Sequence, residues 1–150
     1  TFSKSRALAG IRIGYAFGSE RLIQYLNDVK FSFNSYTINR LTEVVGCTCL
    51  EDKVYFKETV QKVVNTRERV KQRLSELGFS FGDSKANFIF ASHKSVSAKE
   101  IFEALKEEGI YVRHFNKPRI ENYLRISIGT DEEMNTMLTF LESYLQKREV

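Results

Sequence analysis

Apolar and polar positions along the chain follow two rhythms, one of strands and one of helices. Ile11, Ile13, Tyr15 and Phe17 alternate with Arg12, Gly14 and Ala16. That is the period of a strand with one buried face, and it puts Arg12 on the side away from the apolar residues. Ser19 then stands where an N-cap belongs, and Leu22, Ile23, Leu26 and Val29 predict a short helix after it. The stretch from Phe31 to Tyr36 is aromatic and polar without a helical period and reads as a loop. A helix carrying Ile38, Leu41, Val45 and Cys49 follows. Next comes a long one striped by Val60, Val63, Val64, Val70, Leu74 and Leu77, with Gly78 as its stop. Arg67, Arg69, Lys71 and Arg73 fall mostly off that stripe and read as a solvated face.

Beyond Phe79 the order becomes strand, helix, strand, strand, helix. Asn87 to Ala91 is an apolar run of strand length. Ser97 and Glu100 form a capping box, because the serine oxygen can accept an orphan amide hydrogen while the glutamate reaches back to the cap. Ile101, Phe102 and Leu105 supply that helix's buried face and Gly109 ends it. Ile110 to Val112 reads as a brief strand, and Arg113 to Asn122 as a polar loop holding His114 and the single proline, Pro118. Leu124, Ile126 and Ile128 alternate with Arg125 and Ser127, a strand that buries its aliphatic side and projects Arg125 from the other. Thr130 with Glu133 is a second capping box, opening a helix striped by Met134, Met137, Leu138, Leu141 and Leu145, with the methionines as core residues. Phe79 to Val150 is therefore expected to fold as an α/β (α+β) small domain with helices packed on one face of a small sheet.

Composition narrows the function classes. With 150 residues, 42% of them hydrophobic and one proline, the chain can bury a core, and collagen-like, low-complexity and linker readings fall away. No apolar run approaches a membrane span and no signal-peptide pattern opens the sequence. The net charge of +4 comes from the first half, but its basic residues are interspersed with acids and form no run. That argues against nucleic acid as a partner; a few separate arginines holding small anions explain the excess as well. Cys47 and Cys49 are too few and too close for a disulfide framework, and His93 and His114 lie too far away to complete a zinc site. The expectation is no metal, two free thiols and a reducing, cytoplasmic compartment. The sequence enters dense patterning directly at Thr1 and reads as a piece of something longer.

One segment stands apart, T-x-S-K-x-x-x-L-A-G-x-R-x-G, comprising Thr1, Ser3, Lys4, Leu8, Ala9, Gly10, Arg12 and Gly14. A lysine beside hydroxyl residues, followed after a small-residue turn by an arginine, suits a carbonyl cofactor that carries a phosphate. The amine condenses with the carbonyl, and the hydroxyls and the planar guanidinium fork bind the phosphate. By itself Arg125 reads as a strand-face arginine paired with a nearby acid.

The whole segment closely resembles the active-site lysine region of the class I/II aminotransferases, the fold type I pyridoxal-phosphate (PLP) enzymes. The stretch N-Y-L-R-I-S-I-G-T from Asn122 to Thr130 is similar to that family's L-R-[IV]-[ST]-[IV]-G-T strand. Within the family, V-R-H-F-N-K-P-R at Val112 to Arg119 and S-K-A-N-F-I-F at Ser84 to Phe90 most resemble the histidinol-phosphate aminotransferases. The resemblance runs from the lysine to the last helix. It implies that Lys4 bonds PLP and is the catalytic residue, and that Thr1, Ser3 and Arg12 hold the cofactor phosphate. Arg125 then clamps the substrate carboxylate, and Arg113 takes the substrate phosphate or carboxylate. It implies the C-terminal portion of a fold type I transferase: residues 1–34 as the tail of the large PLP-binding domain, 35–78 as connecting helices, and 79–150 as the small domain. The groups that clamp the pyridine ring, contact its phenolic oxygen and stack on it are placed upstream of Thr1. The implied partners are a phosphorylated amino compound and a 2-oxo acid, in a homodimer of histidine biosynthesis. Threonine-phosphate decarboxylase resembles the same subfamily and stays open, as does a non-catalytic module acting through association alone.

Overall fold

A computed structural model describes residues 1–148; Glu149 and Val150, the end of the expected small domain and of its last segment, lie outside the described residues. The chain divides into two compact units, Thr1–Val60 and Gln61–Val150.

The first unit is helical. It begins with a single turn, α1 (Phe2–Ser5), and a 3-10 turn, Ala9–Ile11. Then come α2 (Glu20–Phe33), α3 (Arg40–Glu51) and the first turns of α4 (Lys53–Glu76). Ser19 caps α2 as expected, its hydroxyl accepting from the Leu22 amide. The strand expected over Ile11 to Phe17 does not form. Ile11 closes the 3-10 turn, and the residues from Ile13 to Ser19 carry no ladder, because no described strand lies beside them. Alternation sets which side chains share a face, but a strand also needs a hydrogen-bonding neighbour. Phe31 to Tyr36 is a second correction, since α2 continues through Phe33. Its last turn is held locally, by Ser32 Oγ on the Asp28 carbonyl and the Asn34 amide on the Lys30 carbonyl, at 2.7 and 2.8 Å. No residue of α2 is buried, so no stripe marks its end. Ile38 precedes α3 rather than lying on it; the Asn39 side chain caps that helix through the Thr42 amide at 2.8 Å.

The second unit places α4's later turns, α5 (Ala98–Glu107) and α6 (Asp131–Gln146) against one face of a four-stranded antiparallel sheet. Its strands β1 (Phe79–Phe81), β2 (Phe88–His93), β3 (Arg113–His114) and β4 (Leu124–Ser127) run in the order β1-β2-β4-β3. The period of two puts Ile89, Ala91, Leu124 and Ile126 on the helix side, where they meet Val70, Leu74, Ile101, Leu105, Met137 and Leu141 with essentially no exposure. Each buried Val, Leu, Ile or Met among them contributes roughly 1.5–3 kcal/mol. Both capping boxes are present. β1 has no counterpart in the expected strands, because three residues, Phe79 to Phe81, are too short for an alternation to register. The brief strand expected at Ile110 to Val112 is displaced to Arg113 and His114. Ile110 is spent closing α5, its amide on the Leu105 carbonyl at 2.8 Å, and His114 is a strand residue rather than a loop residue.

The basic face of α4 is not solvated as expected. Arg67 is 5% exposed and donates to the Ala86 carbonyl at 3.1 Å. Arg69 pairs with Asp131, Lys71 with Glu68 and Asp83, and Arg73 with Glu142. This face therefore binds the loop after β1 and, through Asp131 and Glu142, the length of α6.

These pairs set an acid limit for the second unit. Hydrogen bonds from Arg148, then from Ser97, hold the Glu100 carboxyl at about 2 against an ordinary 4.5, and Lys71 with Lys85 holds Asp83 at about 2 against 3.8. A carboxylate with a depressed folded-state pKa stabilises above its unfolded value and loses that contribution as pH falls through the folded one. Stability should therefore decline from pH 4.5 toward pH 2, the window bounded by the two Glu100 values. Urea titrations of wild type and Glu100→Gln across that window should converge as pH falls; a constant difference between them would contradict the assignment. Among the described residues no helix is long and apolar enough to cross a membrane.

Candidate active site

Phe2, 5% exposed, anchors the lysine segment by packing its ring edge-on to Tyr15 at 5.8 Å. Its amide donates to the Ile13 carbonyl at 3.1 Å, which lays residues 1–3 beside residues 12–14. Gly14 lies along this approach, where a Cβ would sit in van der Waals contact 3.4 Å from the Thr1 Cα. The chain then doubles back: the Ala7 amide reaches the Lys4 carbonyl and the Leu8 amide the Phe2 carbonyl, each at 3.1 Å. Ala7 and Arg12 take left-handed conformations at φ 54° and 59°, uncommon for residues with a Cβ. The fold thus brings Thr1, Ser3, Lys4 and Arg12 together on one loop. Lys4 and Arg12 are exposed, and the Arg12 guanidinium donates only to the Ala9 carbonyl, at 2.9 Å. Arg12 owes its position to the turn, not to a strand face.

The platform under this loop is α3, and sequence reasoning did not assign it. Thr42, 6% exposed, donates its hydroxyl to the Ile11 carbonyl at 3.3 Å. One turn on, a Cβ on Gly46 would come within 2.8 Å of Ile13 Cδ1, so that side-chain tip would have to move. Cys49, a further turn along, accepts at its carbonyl a 2.6 Å hydrogen bond from Arg6. The spacing of 42, 46 and 49 is one helix face made of small and polar residues, a signal legible in the sequence only once its partner is known.

In the second unit, β3 and β4 put Arg113 directly opposite Arg125, and Phe90 of β2 is opposite Arg125 on the other side. All three are on the sheet face turned away from the core. Arg125 is half-buried, its guanidinium carbon is 5.6 Å from the centre of the Phe88 ring, and its Nε is buried without a hydrogen-bond partner. Arg113 is exposed over Phe115 at 4.9 Å. Neither arginine has a carboxylate partner among the described residues, unlike Arg67, Arg69, Arg73 and Arg148 on the helix side. Like charges directly opposite in an antiparallel pair repel, and a buried donor without an acceptor is costly; an anion bound between them offsets both. The floor around them is aromatic, with Phe90 stacked on Tyr123 at 4.7 Å. A shallow pocket of about 500 Å³ between Asp83, Arg119 and these rings opens on the same face. His114 is committed to structure, its Nε2 lying 2.7 Å from the Glu121 carbonyl. Among the described residues no group of three His, Cys, Asp or Glu is placed to hold a metal ion.

A lysine and an arginine on one loop, and two unpaired arginines on one sheet face, agree with a family profile that matches residues 1–141, aminotransferase class I and II. The chain belongs to this family. It is 58% identical over 135 residues to a histidinol-phosphate aminotransferase of Brachyspira hyodysenteriae, covering 90% of this chain and 38% of that protein. Against the histidinol-phosphate aminotransferase of Lactococcus lactis subsp. lactis it is 54% identical over 149 residues, 99% of this chain and 41% of that one. The crystal structure of histidinol-phosphate aminotransferase from Sinorhizobium meliloti in complex with pyridoxal-5'-phosphate superposes with a TM-score of 0.82 at 27% identity, over 98% of this chain and 40% of that one. The chain thus spans about two fifths of the length of the relatives it matches. The architecture, helices on a small antiparallel sheet, is that of the C-terminal part of these aminotransferases.

Proposed function

We propose that this chain is the lysine-bearing part of a longer PLP-dependent aminotransferase that exchanges an amino group between histidinol phosphate and 2-oxoglutarate. The observation that carries the reading is the loop that Thr1, Ser3, Lys4 and Arg12 share, closed by the Phe2 amide on the Ile13 carbonyl. It offers an exposed amine, two hydroxyls and a guanidinium that no carboxylate among the described residues neutralises, the donor set a phosphorylated aldehyde requires. PLP fits it: Lys4 Nζ would bond the cofactor, and Thr1, Ser3 and Arg12 would bind its phosphate.

When bound, PLP supplies an electron sink for charge developing at the substrate α-carbon. Lys4 Nζ takes up and returns the α-carbon proton. Arg125 holds the carboxylate of the oxo acid through its planar fork, with the unpartnered Nε as one donor, and Arg113 adds a second cation for the phosphate of the amino substrate. Fixing these anions orients the α-carbon and supplies proximity that a free substrate lacks.

Residues 1–34 are the tail of the large domain in this reading, 35–78 the connecting helices and 79–150 the small domain. The first unit supports it by its surface. Phe17 is 91% exposed, Phe33 86% and Tyr36 96%, and α2 buries nothing, as expected of elements that pack on further chain. The full-length protein is then a cytoplasmic homodimer.

The assignment of different anions to different arginines is testable by binding. In the full-length protein, Arg125→Ala should weaken the oxo acid by about 10–100-fold while leaving PLP affinity near wild type, since charge-assisted hydrogen bonds are worth roughly 1.5–3 kcal/mol. Arg12→Ala should do the reverse. Equal effects of each variant on both ligands would overturn the assignment.

A further inference from the structure

Arg6 has no role in the chemistry above, yet it is the best-tethered side chain on the lysine loop. We propose that Arg6 is a positioning residue for Lys4, a strut that holds the lysine's loop against the α3–α4 junction. The proposal rests on Lys4 being the residue that bonds PLP.

Lys4 sits in α1, a turn of four residues, too short to be stable alone. Phe2 anchors its N-terminal side in apolar contact; on the C-terminal side the first fixed point is Arg6, half-buried. The Arg6 guanidinium carbon lies 3.7 Å from the centre of the Phe56 ring, and its Nη1 donates to the Cys49 carbonyl at 2.6 Å. Cys49 is among the last four residues of α3, whose carbonyls lack partners within the helix, and that last turn carries no basic residue of its own. Arg6 supplies the missing donor and places a positive charge at the negative end of the helix. The cation over the ring adds a second, independent restraint on orientation.

The backbone responds immediately after this anchor. Ala7 adopts φ 54°, an unfavourable conformation for alanine, and its amide donates to the Lys4 carbonyl. The side chain that sets the height of the loop thus lies two residues from the reactive amine. Arg6 reaches no substrate group in this arrangement and acts through Lys4 alone. Nothing in the sequence marks it, because its partners are 43 and 50 positions away.

The test uses the full-length protein loaded with PLP. It reads the pH midpoint of the cofactor's visible absorbance together with kcat and KM. Arg6→Ala should move that midpoint by about half a pH unit and lower kcat about tenfold with KM for the amino donor unchanged, the signature of a misplaced lysine. Phe56→Leu should shift both in the same direction by less, and Arg6→Lys should restore most of the loss. If Arg6→Ala fails to fold, Phe56→Leu and Arg6→Lys carry the same reading. A wild-type midpoint and kcat in a folded Arg6→Ala or Phe56→Leu variant would overturn the proposal, even with a lowered Tm. Lys4→Ala separates the two ideas: if that variant keeps the visible band, the assignment of Lys4 fails, not the strut.

Discussion

Lys4→Ala in the full-length protein should abolish the visible absorbance gained on adding PLP and lower turnover by about 10⁴-fold or more, because proton transfer by a positioned group alone is worth roughly 10²–10⁴. The loss of covalent attachment comes on top of this. Among the described residues of the first unit, those beside Lys4 in the chain offer no base to substitute. Ser3 and Ser5 are hydroxyls without a base beside them, and Arg6 is committed to Cys49 and Phe56. His93 is 7% exposed within the second unit, held by Leu77 and the amides of Ser95 and Val96. Residual PLP affinity should survive through Arg12, Thr1 and Ser3, so the spectral defect should separate from simple failure to bind. The check is an absorbance titration with PLP beside a coupled assay. A Lys4→Ala enzyme that turns over within tenfold of wild type would remove Lys4 from the mechanism.

The 150-residue chain alone should show no measurable transamination, even with excess PLP. Lys4 is an accessible amine and will condense with an aldehyde to some extent. Productive chemistry also needs the pyridine ring clamped and stacked, so that the breaking bond is aligned with it. The resemblance places those groups upstream of Thr1, and this chain spans about two fifths of its relatives. Orientation of this kind accounts for roughly 7–11 kcal/mol of a barrier, more than enough to bury the reaction in the background. The exposed aromatics of the first unit point the same way, because a loop resting only on α3 and the start of α4 lacks the packing that holds a site rigid. The assay is 2-oxoglutarate-dependent turnover of histidinol phosphate, run in parallel on the isolated chain and the full-length protein. Turnover by the isolated chain within tenfold of the full-length protein would show that the missing groups do not matter.

What the sequence made legible follows from the range of each interaction. The capping boxes at Ser97 and Thr130 were readable because the whole motif lies within four residues. β4 was readable because Leu124 and Ile126 alternate with Arg125 against a core that exists in this chain. The same alternation at Ile11 to Phe17 misled, because its strand character depends on a neighbour that the described residues do not supply. Arg67 looked solvated from its place on the helix, yet the loop at Ala86 buries it, a contact across 19 positions. The candidate site residues come from a motif, while the residues that brace their loop, Arg6, Thr42 and Gly46, carry no such signal. Their roles depend on partners more than 30 positions distant.

The central claim is that Lys4 is the residue to which the cofactor is bonded. The most direct measurement is to load the full-length protein with PLP, reduce it with borohydride, digest it and map the labelled peptide by mass spectrometry. The account predicts one stoichiometric adduct, on Lys4 in the peptide that also holds Thr1 and Ser3. A dominant adduct on any other lysine, or none at all from a protein that turns over, would contradict it.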